Sequence, residues 1–125
     1  MVAALSEKRL LIGGEWRDTG EWVEVRSPYS GDVVARVAKA GARETCQALD
    51  AAEQAMREPL PAHKRAEILV KVAAALGRRH EEAARLISDE AGKPMKAARV
   101  EAQRAMSTYT FAAVEARKLA GEMVP

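Results

Sequence analysis

Residues 90–121 read EAGKPMKAARVEAQRAMSTYTFAAVEARKLAG. Gly92 suits the left-handed position after a helix, and Pro94 suits the first turn of the next one. Apolar residues then recur in steps of three and four until Gly121, which predicts a helix over 94–120 with one stripe in the core. The stripe comprises Met95, Ala98, Ala102, Ala105, Met106, Tyr109, Ala112, Ala113, Ala116 and Leu119.

Three further helices are predicted upstream, over 42–57, 61–77 and 79–91, because the apolar period stays near 3.6. The prolines of EPLP at 58–61 separate the first two helices, and Gly77 is expected to break or bend the second. The second helix has a broad apolar face and is predicted to be central, buried on more than one side. The predicted inner positions are Cys46, Leu49, Ala52 and Met56, then Ala66, Ile68, Leu69, Val70, Val72, Ala73 and Leu76, then Ala83, Leu86 and Ile87.

Ahead of the helices, residues 9–38 predict a small antiparallel β unit. Gly13 and Gly14 stand between two β-favouring runs, which is typical of a two-residue hairpin turn. Residues 22–25 and 33–37 alternate in polarity on either side of a turn at 27–31. Residues 1–8 are expected to form a tail. The predicted fold class is α+β, with a short antiparallel hairpin unit followed by a four-helix segment over 41–121.

The composition excludes several classes of function. Hydrophobic residues make up 48% of the chain but aromatic residues only 4%, which suits packed alanine-rich helices. Twenty basic and eighteen acidic residues are interspersed, and the most basic stretch, 57–79, has no aromatic residue for base stacking. Nucleic acid is therefore not expected as a partner.

The few cysteine and histidine residues bear on the prediction of disulfides and metal sites. A single cysteine leaves no internal disulfide, and the opening residues contain no apolar run that predicts a signal peptide or membrane span. His63 and His80 are far apart in sequence, so no metal-binding pattern is indicated. A cytoplasmic protein without a membrane partner is expected.

The order of the motifs resembles the opening of the aldehyde dehydrogenase superfamily. LIGGEW at 11–16, SPYSG at 27–31, VVARV at 33–37, RAEIL at 65–69, EAGKP at 90–94 and LAGE at 119–122 occur in the family's order and spacing. The resemblance covers residues 10–125 and includes the branch of phosphonoacetaldehyde, non-phosphorylating glyceraldehyde-3-phosphate and lactaldehyde dehydrogenases. It implies that the chain is the N-terminal part of a larger cofactor-binding domain with an α/β fold.

The resemblance implies an enzyme that oxidises a small aldehyde to the carboxylic acid, with NAD or NADP as hydride acceptor. Such enzymes are homodimers or homotetramers. The family's catalytic cysteine, oxyanion-hole asparagine, general-base glutamate and Rossmann strands all come later than the matched region. The chain is therefore expected to be an inactive fragment that binds no cofactor itself and depends on the remainder of the enzyme. The alternative is a stand-alone helical interaction module derived from the family.

Cys46 is a candidate nucleophile only because it is the single cysteine. It lies on the apolar stripe of the first helix, with no neighbouring histidine or glycine-rich loop to activate the thiol. Because free cysteine is among the most buried residue types, Cys46 is expected to be structural and buried. No catalytic residue is assigned to this chain.

Arg104 is the residue that the resemblance connects with substrate. It shares a second face of the last helix with Val100, Thr108 and Phe111. In members acting on phosphorylated or phosphonate aldehydes, an arginine at the matching position contributes to the anion pocket, and a guanidinium suits such groups. The alternatives are an intrahelical pair with Glu101 or an arginine that faces solvent.

Arg26 and Glu90 match the positions at which many family members hold a monovalent cation. The ligands there are a main-chain carbonyl, here of Arg26, and an acidic side chain, here of Glu90. Hard cations prefer oxygen ligands, so the donor types are suitable. The alternative is that Glu90 is a solvated residue near a helix end.

Overall fold

A computed structural model describes residues 6–119, which form five strands and four helices. The elements are β1 (Ser6–Lys8), β2 (Leu10–Ile12), β3 (Glu15–Arg17), β4 (Trp22–Arg26), β5 (Val33–Ala38), α1 (Ala42–Met56), α2 (Ala62–Arg78), α3 (His80–Ala91) and α4 (Met95–Lys118). In this part of the chain, no helix combines the length and the apolar character that a membrane crossing requires. The four helices and the short strands follow the predicted α+β order.

The chain divides into two compact units. Of the described residues, the first contains those up to Pro59 together with Asp89–Gly92, and the second contains Leu60–Ser88 and those from Lys93 to Leu119. Helix α1 therefore belongs to the unit that holds the strands, and the other three helices dominate the second unit.

Two small sheets make up the strand portion of the first unit. One has the order β1-β5-β4, and the other is the β2-β3 hairpin. Strand β4 is antiparallel to β5, but β1 runs parallel to β5, with Ser6 opposite Ala35. The predictions of a tail over residues 1–8 and of a purely antiparallel unit are wrong at β1. Its three residues are Ser, Glu and Lys, so the strand has no apolar alternation by which a sequence would reveal it.

The predicted Gly-Gly hairpin is present. Leu10 pairs with Arg17 across the turn, and Gly13 and Gly14 have φ of 59° and 85°. Positive φ at both central positions matches the right-handed twist of the two strands. The turn lies against α1, since a Cβ built on Gly13 would be 3.6 Å from Cβ of Ala51.

Helix α1 begins at a glycine whose main chain is capped by an acidic side chain. The Gly41 N–H donates to Oε2 of Glu44 at 2.9 Å, and Nε of Arg43 donates to the other carboxylate oxygen at 2.8 Å. These hydrogen bonds, the one from Gly41 foremost, lower the pKa of Glu44. A carboxylate in the first turn also interacts favourably with the positive end of the helix dipole.

The predicted inner face of α1 is exposed. Leu49 is 65% and Met56 is 76% exposed, and Cys46 and Ala52 are exposed as well. The prediction that these four residues face a core is wrong for the described part of the first unit, where β2 contacts α1 near Ala51 instead. A helical apolar period shows that a face exists, but it does not show which element covers it.

The core of the second unit is built mainly from alanine. Ala84 and Ala98 are fully buried and Ala102 nearly so, with Met95 and Ile87 packed against them. The stripe predicted on α4 is confirmed at four of its alanines, since Ala113 and Ala116 are buried in addition to Ala98 and Ala102. It is wrong at Leu119 and Tyr109, which are exposed. Small side chains allow helices to approach closely, and α2 packs against α4 along an extensive contact.

Helix α2 is less central than its sequence predicts. Ala66 is fully buried, but Ile68 and Val70 are each half exposed, so the helix buries one face rather than several. Leu86 of α3 is likewise half exposed, and Ala84 takes the inner position.

Helix α2 ends at Arg78, one residue after Gly77, and α3 begins at His80, so the break lies within one residue of its predicted place. A Cβ at Gly77 would lie 3.0 Å from Cε of Met106. The glycine therefore lies where the side chain of Met106 on α4 reaches α2.

Gly92 ends α3 as predicted, and replacing it should destabilise the chain. Its φ is +65°, and a Cβ would lie 3.0 Å from Cγ of Pro28. Gly92→Ala should lower the free energy of unfolding by about 1–2 kcal/mol through the strain of the left-handed backbone alone. The contact between the added Cβ and the proline ring should lower it further. Urea unfolding of the 125-residue chain measures this.

Gly20→Ala is the matched control for that substitution. Gly20 has φ of +76°, but nothing lies within 4 Å of its added Cβ, so only the backbone strain remains. Gly92→Ala should therefore lower the unfolding free energy more than Gly20→Ala does. An equal or smaller loss at Gly92 would show that the contact with Pro28 contributes nothing.

Candidate functional site

Arg104 lies in the middle of α4 on an exposed face. Val100 and Phe111 of the same face are 58% and 70% exposed. The hydroxyl of Thr108 donates to the main-chain carbonyl of Arg104 at 3.0 Å. Within residues 6–119, no group accepts a hydrogen bond or forms an ion pair with its guanidinium. The structure thus presents a cationic group with all of its donors available.

The side chain of Arg104 lines an open depression of about 450 Å³. The other lining residues are Lys93, Glu101, Ala105 and Thr108. Glu101 is not paired with Arg104, because its Oε2 accepts from Nζ of Lys93 at 2.5 Å. The predicted alternative of an intrahelical Glu101–Arg104 pair is therefore wrong. Since Lys93 and Glu101 neutralise each other, the depression keeps one net positive charge, that of Arg104.

Lys93 is held in place by the junction between α3 and α4. The hydroxyl of Ser88 donates to the main-chain carbonyl of Lys93 at 2.7 Å. The carbonyl of the next residue, Pro94, accepts the first helical hydrogen bonds of α4, from Ala97 and Ala98. The main chain on both sides of the Lys93 side chain is thereby fixed at the start of α4.

A second set of contacts ties α4 to the start of α3. Both carboxylate oxygens of Glu81 accept from the guanidinium of Arg99, at 2.9 to 3.2 Å. A ring nitrogen of His80 lies 3.0 Å from the main-chain carbonyl of Arg99. The hydrogen bonds with Arg99 lower the pKa of Glu81, and Glu81 in turn raises the pKa of Arg99. These contacts fix the orientation of α4 one turn before Arg104.

Sequence reasoning identified Arg104 but missed Lys93 and Glu101 as site residues. The sequence indicates Lys93 only as part of a helix junction and Glu101 only as an alternative partner for Arg104. Opposite charges at a helix start and two turns into that helix are a signal that could have indicated the Lys93–Glu101 pair.

Arg26 and Glu90 both belong to the first unit. The guanidinium of Arg26 donates to the carbonyl of Gly31 at 3.1 Å and to Glu24 at 2.5 Å. Glu90 is exposed near the end of α3, two residues before Gly92, whose added Cβ would touch Pro28. The end of α3 therefore meets the turn that follows Arg26. Carbonyl and carboxylate oxygens are the ligand types that hard cations prefer.

Cys46 is exposed on α1, so the prediction that it is buried is wrong. The sequence placed it on an apolar face, and that whole face is uncovered in the described part of the first unit. Among residues 6–119, no cluster of three or more histidine, cysteine, aspartate or glutamate side chains is arranged to hold a metal ion. No histidine partner for the thiol is found in the described structure.

The chain matches known proteins over most of its length. The model of the aldehyde dehydrogenase family matches residues 16–125. The chain is 34% identical over 116 residues to the 3-sulfolactaldehyde dehydrogenase of Priestia megaterium, covering 93% of this chain and 24% of that protein. It is 36% identical over 125 residues to the NADP(+) succinate-semialdehyde dehydrogenase of Escherichia coli, covering 97% of this chain and 26% of that protein.

The fold agrees with solved structures of the same family. The NAD-dependent aldehyde dehydrogenase of Sinorhizobium meliloti superposes with a TM-score of 0.87 at 31% identity, over 95% of this chain and 25% of that one. The chain therefore spans about a quarter of the length of the relatives it matches. It belongs to the aldehyde dehydrogenase family, in the N-terminal region of that fold.

Proposed function

We propose that this chain is the N-terminal segment of an NAD(P)-dependent aldehyde dehydrogenase that oxidises a small anionic aldehyde to the carboxylic acid. Family membership supports the oxidation of an aldehyde. The guanidinium of Arg104, which has no partner within residues 6–119, is the single observation that supports an anionic substrate. A phosphonate, phosphate, sulfonate or carboxylate group presents two oxygens that match the guanidinium fork.

The names of the relatives are consistent with this substrate class. One relative acts on 3-sulfolactaldehyde and another on succinate semialdehyde, and both of these aldehydes have an anionic group. Among the described residues, no carboxylate pairs with Arg104, because Glu101 pairs with Lys93. A guanidinium desolvated without a partner would be costly, so a binding site built on Arg104 requires an anion.

The oxidation chemistry itself requires groups that we place outside this chain. A thiolate must attack the aldehyde, amide donors must hold the oxyanion, and a hydride must pass to NAD or NADP before water hydrolyses the thioester. The exposed Cys46 forms no hydrogen bond with a histidine among the described residues and is not assigned the nucleophile's role. The segment supplies an anion-binding residue to a site completed by the remainder of a cytoplasmic enzyme, a homodimer or homotetramer.

We also assign a monovalent cation to the carbonyl of Arg26 and the carboxylate of Glu90. The support is that the end of α3 meets the turn after Arg26, as the approach of Gly92 to Pro28 shows. Two protein oxygens leave the rest of the coordination shell to water and other carbonyls. The cation would join two parts of the first unit and takes no part in the oxidation.

The substrate class is tested with a matched pair of aldehydes on the complete enzyme that contains this segment. One aldehyde has a terminal carboxylate or sulfonate, and the other has an uncharged amide of the same size. We expect a higher kcat/KM for the anionic aldehyde, mostly through KM, and a preference that falls as the salt concentration rises. Equal kcat/KM values for the two aldehydes at low salt would overturn the proposal.

A further inference from the structure

One acidic and one basic residue on α4 are positioned to form an ion pair but do not form it. Glu101 and Arg104 are three residues apart on one helix, with the acid on the N-terminal side, which is a favourable arrangement for a helical ion pair. The Glu101 carboxylate instead binds Nζ of Lys93, from outside the helix, at 2.5 Å. Arg104 is left without a partner among the described residues.

We infer that Lys93 keeps Arg104 available to substrate by holding Glu101 away from it. Lys93 is thus a positioning residue that determines specificity for anionic aldehydes without touching them. The three side chains line the same depression, so a carboxylate released by Lys93 needs only a rotamer change to reach the guanidinium. This inference rests on the proposed function for its consequence in catalysis, but the competition for Glu101 is a property of the chain alone.

The anchoring of Lys93 supports a fixed role for the side chain. Its main-chain carbonyl accepts from the hydroxyl of Ser88, and the carbonyl of Pro94, the next residue, accepts the first helical hydrogen bonds of α4. The ammonium group therefore projects from a main chain held on both sides. Pairing with Glu101 therefore restricts only the side-chain torsions of Lys93.

The first experiment measures the competition in the 125-residue chain. The carboxylate carbon resonance of Glu101 is followed by NMR at pH 7 in the parent, Arg104→Leu, Lys93→Gln and Lys93→Gln/Arg104→Leu forms. Arg104→Leu should leave this resonance unchanged when Lys93 is present and shift it when Lys93 is glutamine. A shift in the parent background, or no shift in either background, would overturn the inference. Lys93→Met serves as a second variant if glutamine disturbs the helix junction.

The second experiment measures the consequence in the complete enzyme. Lys93→Gln should raise KM for the anionic aldehyde about two- to fivefold, the range expected when an exposed ion pair competes for Arg104. The kinetics of the uncharged aldehyde should not change. Glu101→Gln added to Lys93→Gln should restore KM, because no carboxylate remains to capture the guanidinium. Lys96→Gln, another exposed lysine near the start of α4, is the matched control and should have no effect.

The outcomes separate this inference from the proposed function. If Arg104→Leu lowers activity selectively but Lys93→Gln has no effect on KM, only the inference fails. If Arg104→Leu has no selective effect, the proposed function fails, whatever the NMR shows.

Discussion

Arg104→Leu in the complete enzyme should lower kcat/KM for an anionic aldehyde about ten- to hundredfold. A hydrogen bond to a charged group contributes roughly 1.5–3 kcal/mol, and its loss from the transition state gives a factor of this size. The guanidinium is exposed, unpaired among the described residues and part of a depression with one net positive charge. The uncharged aldehyde of the same size should be oxidised equally well by the variant and the parent.

Two further variants sharpen this test. Arg104→Lys keeps the charge but loses the two-pronged donor geometry, so its kcat/KM for the anionic aldehyde should lie between those of the parent and Arg104→Leu. Gln103→Leu changes a neighbouring exposed residue of α4 and should affect neither substrate. An equal fall for both aldehydes with Arg104→Leu, or no fall for either, would return Arg104 to a structural or solvent-facing role.

The 125-residue chain alone should form no NADH or NADPH when it is mixed with an aldehyde and either cofactor. No dehydrogenase activity is expected, because the catalytic thiol, the oxyanion donors and the cofactor site are all assigned to other parts of the enzyme. The assay follows absorbance at the wavelength of the reduced nicotinamide. It requires protein free of full-length enzyme, which is verified by mass spectrometry.

Cys46→Ser is the control for that experiment. Cys46 is an exposed cysteine on a helix, so it can react with an aldehyde reversibly without transferring a hydride. Turnover above background that Cys46→Ser abolishes would overturn both the assignment of Cys46 and the view of this chain as a catalytically incomplete segment. Turnover that Cys46→Ser leaves intact would also contradict that view.

Local signals in the sequence predict most of the secondary structure. Gly13 and Gly14 have the positive φ that the hairpin turn requires, and Gly92 has the left-handed conformation that ends α3. These features depend on neighbouring residues, so a short window of sequence determines them. The break between α2 and α3 also lies within one residue of the place that Gly77 predicts.

Burial is harder to predict than secondary structure. Leu49 and Met56 lie at the helical spacing of an inner face, yet the described part of the first unit leaves them exposed. The stripe on α4 is buried at Ala98 and Ala102 because other helices of its own unit cover it there. Periodicity determines which residues share a face, whereas burial depends on residues distant in sequence.

The candidate site was predictable only in its single most distinctive residue. A family resemblance indicated Arg104, but the Lys93–Glu101 pair depends on how the junction after α3 directs a lysine toward the second turn of α4. The two residues are eight positions apart, but Lys93 precedes α4, so the helical period alone does not predict that they pair. Because Glu101 binds Lys93, Arg104 has no ion-pair partner among the described residues. The sequence of α4 alone does not predict this.

The intact mass of the natural protein that contains this segment tests the central claim most directly. The protein is purified from its native source with an antibody raised against the 125-residue chain, and its mass is measured without digestion. The chain has a mass of 13.6 kDa and spans about a quarter of its relatives. We predict a mass roughly four times that of the chain, as expected for an aldehyde dehydrogenase subunit. A mass of 13.6 kDa would contradict the claim and favour a stand-alone helical interaction module.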